Sequence, residues 1–211
     1  MKIVFATGNS GKLREASQIL GEGFELVTPA QVNVNEDIPE TGMTIRANSL
    51  QKAQYLYERC GMDCMADDTA LEVEILGGGP GIHTARYAGE SKDPSANMDK
   101  LLREMERREF EASIAREMGL NTVHATRKAR FHTEITLILD GVKYFFEGIM
   151  EGRIARARSG KGGFGYDPVF IADEAPGLTV AEIPDEEKNA ISHRGKALRA
   201  MAAFLRERTR K

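Results

Sequence analysis

The first twenty residues constrain this chain more than any others. Residues 2–6, Lys2-Ile3-Val4-Phe5-Ala6, form a short apolar, β-prone run that ends at Thr7-Gly8-Asn9-Ser10-Gly11, which cannot continue a strand. From Lys12 to Leu20, Leu13, Ala16, Ile19 and Leu20 recur at helical spacing, and Gly21 closes the run. The chain therefore opens as strand, Gly-rich loop, helix. A backbone turn of that kind, feeding a helix N-terminus with a Lys beside it, makes an anion site. It is not a Walker A loop. Only Asn9 and Ser10 separate Gly8 from Gly11, and Leu13 follows Lys12 where a Ser or Thr is required. The same residues also serve as an ordinary strand–turn–helix connection, and the local pattern leaves both readings open.

The remaining pattern alternates strands and helices. A second strand is expected over Phe24–Val27 and a helix over Thr44–Cys60, with Ile45, Leu50, Ala53, Leu56 and Tyr57 as its apolar stripe. Cys64-Met65-Ala66 reads as a short strand stopped by the acidic pair Asp67-Asp68, and Leu71–Ile75 as a separate alternating strand. Gly77–Gly81 is too flexible for regular structure. Asp93-Pro94 opens a long helix that Gly119 stops, and the charges of Glu104–Arg108 mark a solvated face. Asp140-Gly141 between Phe131–Leu139 and Lys143–Gly148 predicts a hairpin. One last helix is expected from about Lys188 to Arg208, its terminal Arg206, Arg208, Arg210 and Lys211 complementing the helix dipole. Strands, helices and a hairpin together imply a mixed α/β or α+β protein of two lobes with a groove between them.

Composition bounds the function. The chain has 211 residues, long enough for one large domain or two packed lobes, with 29 Lys+Arg against 32 Asp+Glu. That balance disfavours a protein that coats nucleic acid. No apolar run approaches the roughly 20 residues of a membrane span, and the opening apolar run is too short for a signal-peptide core, so a cytoplasmic location is expected. Cys60 and Cys64 cannot build a disulfide framework and have no second ligand pair for zinc. A soluble enzyme or a small-ligand binding protein remains.

Three further constellations carry chemistry. Glu40, in Pro39-Glu40-Thr41-Gly42, and the pair Asp67-Asp68 supply carboxylates, and Mg²⁺ favours one or two of these with phosphates and waters completing its shell. Adjacent residues of an extended segment point to opposite sides, so Asp67 and Asp68 should differ in role; Asp68 alone would also serve as a turn cap. Gly162-Gly163-Phe164-Gly165-Tyr166-Asp167-Pro168 offers close backbone approach and a ring for stacking on a base, or a turn with two core aromatics. Lys188 and Ser192-His193-Arg194 span two helical turns, so that Lys188, Ser192 and Arg194 could line one side of a groove as three donors suited to oxyanions or base carbonyls. A lone His such as His193 is more often structural than catalytic.

Taken in order, these segments resemble the inosine triphosphate pyrophosphatase family, which hydrolyses deaminated purine nucleoside triphosphates. The resemblance runs through TGNSGKLREASQIL (7–20), ETG (40–42), ADDTALEVEILGGGPGIHTARYAGE (66–90), ARFHTEITLIL (129–139), GKGGFGYDPVF (160–170) and EEKNAISHRGKAL (186–198). It implies one pyrophosphatase domain over 1–211: an elongated, two-lobed α/β fold with a long mixed central sheet flanked by helices and an active-site cleft between the lobes. It implies a homodimer acting on a small nucleotide, with no nucleic-acid or membrane partner. The implied reaction is attack of water on the α-phosphorus of ITP, dITP or XTP with Mg²⁺. Carried over by position, Thr7, Gly8, Asn9, Ser10, Gly11 and Lys12 cradle the triphosphate, and Glu40 and Asp68 hold the metal. Asp68 is also the catalytic base. Thr69 contacts substrate; Phe164, Gly165, Tyr166 and Asp167 form the base pocket; and Lys188, Ser192, His193 and Arg194 close it.

The match departs at three places. Ala70 stands where the family usually has Gly, a strain if φ is positive there. His83 replaces an aromatic. Residues 107–128 make a longer connection than usual, read as an extended helix and loop elaborating the surface, with Arg127, Lys128 and Arg130 altering a dimer surface or substrate entrance as the sharper alternative. Rival functions are a non-catalytic purine nucleotide sensor, a P-loop ATPase disfavoured by the failed spacing, and a nucleic-acid module that would need a basic face.

Overall fold

The computed structural model describes residues 1–120 and 125–209. Part of the loop expected within 107–128 and the tail residues Arg210 and Lys211 lie outside the described residues. The elements are β1 (Lys2–Phe5), α1 (Ser10–Leu20), β2 (Glu25–Val27), α2 (Ile45–Cys60), β3 (Cys64–Val73), β4 (Pro80–Gly81), α3 (Pro94–Glu117), β5 (Lys128–Leu139), β6 (Val142–Ile154), β7 (Phe170–Ala172), α4 (Asp185–Ile191) and α5 (His193–Thr209). The mixed sheet runs β2-β1-β3-β5-β6-β7, with β4 on β3. No described helix is long and apolar enough to cross a membrane. The chain divides into two compact units.

The first unit comprises Met1–Thr69, His132–Ile149 and Asn189–Lys211. β1 pairs in parallel with β2 and with β3, setting Val4 against Cys64 and Phe5 against Met65. Strand alternation then divides the core in two. Ile3, Phe5, Met65, Ile135, Leu137 and Leu139 pack with Ala16 and Leu20 of α1 and Leu198, Met201 and Leu205 of α5. Val4, Ala6, Cys64, Ala66 and Ile138 pack on the other face with Ala53 and Leu56 of α2. A sheet buried on both faces needs apolar residues at consecutive positions, which Ile3-Val4-Phe5 supplies.

The second unit comprises Ala70–Phe131 and Met150–Lys188. Here β4 runs antiparallel to β3, and β7 antiparallel to β6. α3 starts where Asp93 caps the Ser95 amide and Pro94 occupies the first turn. Its Asn97 accepts from Ala88 N and donates to Ala85 O, while Lys100 donates to Tyr87 O, so the helix holds the 84–88 turn. Glu104–Arg108 is solvated except for Met105, which is fully buried. The far end of α3 is fastened by Glu109, which accepts from Arg127 at 2.8 Å; Arg127 also donates to the carbonyls of Ile154 and Ala155. Arg130 pairs with Glu72. Arg127 and Arg130 thus secure this unit internally, while Lys128 is exposed.

Several boundaries differ from expectation, for physical reasons. β3 does not stop at Asp67-Asp68 but continues to Val73, because both carboxylates meet cations inside the first unit. Glu74–Leu76 is a 3₁₀ turn, so Ile75 is not strand, and Pro80–Gly81 pairs with β3 instead of remaining irregular. Ala70 lies within β3 with no positive φ, so it carries no strain. His83 is exposed at the start of the 3₁₀ turn Thr84–Arg86. The hairpin forms as expected: Asp140 and Gly141 have φ of 50° and 77°, as a two-residue type I′ turn demands.

The helix expected from Lys188 to Arg208 is two helices broken at Ser192. Ser192 accepts the Gly195 amide at 2.9 Å as the cap of α5. Arg199 receives the terminal carbonyls of α4, donating to Asn189 and Ala190 at 2.6 Å each. β6 also passes beyond Gly148 to Ile154, because Gly148 marks a close approach and not a strand end. A Cβ there would lie 1.9 Å from His193 O and 2.8 Å from Ala197 N. Gly148→Ala is therefore expected to destabilise the protein by about 3 kcal/mol or more, beyond ordinary overpacking. Gly8→Ala, with no atom within 4 Å of the added carbon, should leave the denaturant midpoint nearly unchanged. Urea unfolding of both variants checks the contrast.

Candidate active site

The alternation of β3 separates the two aspartates. Asp67 continues the face of Met65, toward α1 and α5; Asp68 continues the face of Ala66, toward α2. Their partners differ accordingly.

Asp67 is 1% exposed. Lys12 of α1 donates to it at 3.0 Å, and Arg194 Nε of α5 at 2.9 Å. Arg194, itself 3% exposed, also reaches Glu15 of α1 at 2.6 Å, and Ser192 donates to the other Glu15 oxygen at 3.1 Å. Burial would raise the Asp67 carboxyl, but Lys12, Arg194 and Lys52 hold it well below the usual carboxylate range. Burial lowers Lys12 from the ordinary lysine value, with Arg194 and Lys52 adding to the effect against Asp67. Burial likewise works against the Arg194 charge, but Asp67 and Glu15 more than offset it. Lys12 is placed by the first turn of α1, where Asn9 accepts from Gly11 N at 2.8 Å and Lys12 N at 3.3 Å. The Gly-rich turn thus carries its own cap, with Thr7 Oγ1 accepting from Asn9 N.

Asp68 and Glu40 converge on one cation. Lys52 Nζ lies 2.7 Å from Glu40 Oε1 and 3.2 Å from Asp68 Oδ1. Burial pulls Lys52 down, yet Asp68, Asp67 and Glu40 together hold it above its ordinary value. Burial first, then Glu40, pushes the Asp68 carboxyl above its usual range against the pull of Lys52. α2 fixes this arrangement from below. Ser49 bonds Ala66 O and Thr136, seating the helix on the sheet, and Lys52 follows one turn later. The Glu40 loop is clamped to the same helix: Thr41 N donates to Gln51, Gln51 donates back to Thr41, and Gly42 N donates to Asn48. A Cβ at Gly42 would lie 2.8 Å from that of Ala47, so glycine is required for this fit.

A third set links Thr69 inward. Thr69 Oγ1 is 2.7 Å from Thr133 Oγ1, which is 2.5 Å from His193 Nδ1. Thr133 and His193 are buried.

The second unit holds the aromatic motif. Gly163 and Gly165 both have positive φ, 71° and 66°. Asp167 Oδ2 accepts from Phe164 N at 2.7 Å and from Lys188 Nζ at 2.7 Å, and Lys188 lies 4.5 Å from the Phe164 ring centre. The two aromatics part company. Phe164 is 36% exposed, whereas Tyr166 is 5% exposed and donates to Thr84 O from the core. Phe164 thus lies part-exposed with Lys188 over its ring, and Tyr166 supports the turn. Because α4 ends at Ile191 and α5 begins at His193, Lys188, Ser192 and Arg194 do not lie on one continuous helix as their spacing implied.

This pattern of segments matches a known family over nearly the whole chain: residues 3–204 fit the model of the Ham1 family. The chain belongs to the Ham1 family. It is 46% identical over 204 residues to a dITP/XTP pyrophosphatase of Porphyromonas gingivalis, covering 97% of each chain. It is 42% identical over 205 residues to one of Flavobacterium johnsoniae, covering 97% of this chain and 98% of that one. The solved structure of a Ham1 protein from Coxiella burnetii superposes with a TM-score of 0.82 at 34% identity, over 98% of this chain and 99% of that one. The Staphylococcus aureus Ham1 protein gives 0.81 at 32%, over 99% and 100%.

In this Ham1 chain, sequence reasoning missed Lys52, Glu15 and Thr133. Lys52 was detectable: Ile45, Ser49, Lys52 and Leu56 fall on one helix face, and a Lys on a buried face needs carboxylate partners. Glu15 and Thr133 carried no local signal. Asp67→Ala, which strands Lys12 and Arg194, is expected to cost about 3–5 kcal/mol. The Asp67 contribution is fully present above about pH 4 and is lost as pH falls below that toward its depressed native value. Urea unfolding at pH 7 and pH 3 should show the variant losing less stability on acidification than the wild type.

Proposed function

We propose that this chain hydrolyses deaminated purine nucleoside triphosphates — ITP, dITP and XTP — to the monophosphate and pyrophosphate, clearing them from the nucleotide pool. The observation that carries this reading is the convergence of Glu40 and Asp68 on a single cation position, in a Ham1 chain closely similar to dITP/XTP pyrophosphatases. The donor set fits Mg²⁺: two carboxylates already share one positive charge, and the raised Asp68 carboxyl gains from a second. Mg²⁺, held there by Glu40 and Asp68, would neutralise phosphate charge.

The chain's own groups account for the rest of the reaction. Thr7 to Lys12 receive the triphosphate, Lys12 supplying a cation that Asp67 keeps in place. Asp68 orients water and accepts its proton as the oxygen bonds to the α-phosphorus and the bond from that phosphorus to the departing pyrophosphate oxygen breaks. Thr69 contacts substrate, steadied by Thr133. Phe164 stacks on the base, with Gly165 giving backbone access and Asp167 and Tyr166 holding the turn. Lys188, His193 and Arg194 favour the 6-carbonyl of hypoxanthine or xanthine over the 6-amino group of adenine, with Ser192 fixing the start of α5. A buried donor facing that amino group costs about 1–3 kcal/mol. Guanine carries the same 6-carbonyl, so this contact separates only adenine. The single-domain assignment over 1–211, the helical elaboration near 107–128, a cytoplasmic location and a homodimer, measurable by light scattering, belong to the same proposal.

Pyrophosphate release from dITP, XTP, dATP and dGTP, with Mg²⁺ and with EDTA, tests the reading. Rapid, EDTA-sensitive release from dITP and XTP supports it; tight binding of all four without turnover would instead make the chain a nucleotide sensor. Asp68→Asn should fold and bind nucleotide but lose about 100-fold or more of kcat. Asp68 acts deprotonated, so wild-type kcat/KM should fall on the acid side as that carboxyl takes up a proton, and raising Mg²⁺, which draws on the same carboxylate, should move the fall to lower pH. That limb should be absent from the residual activity of the variant.

A further inference from the structure

The β5–β6 hairpin carries a cluster that the proposed chemistry does not use. His132 and Glu134 are two apart on β5 and so share a face. Glu147 lies on the neighbouring strand β6. The ligand atoms of all three lie within 4.8 Å of one another. We propose that His132, Glu134 and Glu147 form a second cation site, separate from Glu40 and Asp68, that takes a transition-metal dication of the Zn²⁺ class.

Glu134 is the decisive residue. It is 9% exposed, yet it accepts no hydrogen bond and forms no ion pair among the described residues. The side chain is packed in while its carboxylate oxygens still meet solvent, and the second carboxylate nearby on the adjacent strand adds repulsion that no protein cation in contact relieves among the described residues. The groups facing it are Arg46, Glu147 and His132. Arg46 does not relieve it by contact, since its guanidinium stacks on Phe145, 4.1 Å from the ring centre. Burial first, and Glu147 with it, raises the Glu134 carboxyl above its ordinary value against Arg46 and His132. The imidazole is in a similar position. His132 Nε2 is 2.8 Å from Glu147 Oε1, but off the line of an N–H bond, and among the described residues that buried atom has no hydrogen-bond partner. One dication bonded to Nε2 and to an oxygen of each glutamate answers both deficits and brings the cluster to neutrality. Metal–ligand bonds of about 2.0–2.2 Å suit donors this closely grouped. Three protein ligands leave a position for water, and the imidazole selects a borderline metal over Mg²⁺.

The test titrates the nucleotide-free full chain with Zn²⁺ alone, by calorimetry and thermal unfolding, and repeats it with Mg²⁺. One Zn²⁺ per chain with a raised Tm is expected, and far weaker Mg²⁺ binding. His132→Gln and Glu134→Gln should weaken Zn²⁺ binding by about tenfold or more. Glu147→Gln, at an exposed position, provides a variant that folds without difficulty and should do the same. Asp68→Asn and Cys60→Ser, which disrupt the Glu40–Asp68 carboxylates and the Cys60 and Cys64 thiols, whose sulfurs lie 3.6 Å apart, should leave Zn²⁺ binding unchanged. The proposal is overturned if the chain takes no Zn²⁺, if Glu134→Gln and Glu147→Gln bind it as the wild type does, or if Asp68→Asn or Cys60→Ser abolishes binding.

Discussion

The site depends on the buried ion cluster around Asp67. A carboxylate that is 1% exposed persists as an ion because α1 brings Lys12 to it and α5 brings Arg194. Glu15 and Ser192 close the cluster, so each charge taken out of water has a partner. These pairs tie α1 and α5 to β3 at Asp67, next to the carboxylate on which the proposed chemistry turns. The second aspartate depends on the first for geometry: with Asp67 committed to one face of β3, Asp68 necessarily points to the other, where Lys52 and Glu40 stand.

Much of this was legible because it is local. The opening strand and turn, the start of α3 at Asp93-Pro94, and the Asp140-Gly141 hairpin each follow from residues adjacent in sequence. The different surroundings of Asp67 and Asp68 followed from strand alternation alone. What escaped was long-range. The acidic pair looked like a strand end because nothing nearby in sequence neutralises it; the cations come from residues 12, 52 and 194. The break at Ser192 was hidden because serine fits a helix interior and a cap equally well until Gly195 N and Arg199 are placed. Phe164 and Tyr166 looked equivalent in GFGYDP; the carbonyl of Thr84, 82 residues away, makes one of them a core ring.

The glycines show why a motif can be read correctly without its reason. Gly42 and Gly148 look like turn or strand-end residues, but neither has a positive φ. Each is glycine because another segment occupies the space of a Cβ: the α2 N-terminus at Gly42, the α5 N-terminus at Gly148. Both contacts bring a helix start against the segment that carries or supports the site, so the fit of small residues determines where its charged ones reach.

The Thr69–Thr133–His193 chain has a direction. A hydroxyl carries a single hydrogen, so Thr133 can point it at His193 or at Thr69, never at both. When the imidazole Nδ1 bears hydrogen, Thr133 must turn its own toward Thr69, and the Thr69 hydrogen is then free to face outward. When Nδ1 is bare, the whole chain can reverse, and Thr69 then offers lone pairs to the outside. The occupancy of one buried ring nitrogen is thus written two hydroxyls away, as donor or acceptor character at the residue next to Asp68.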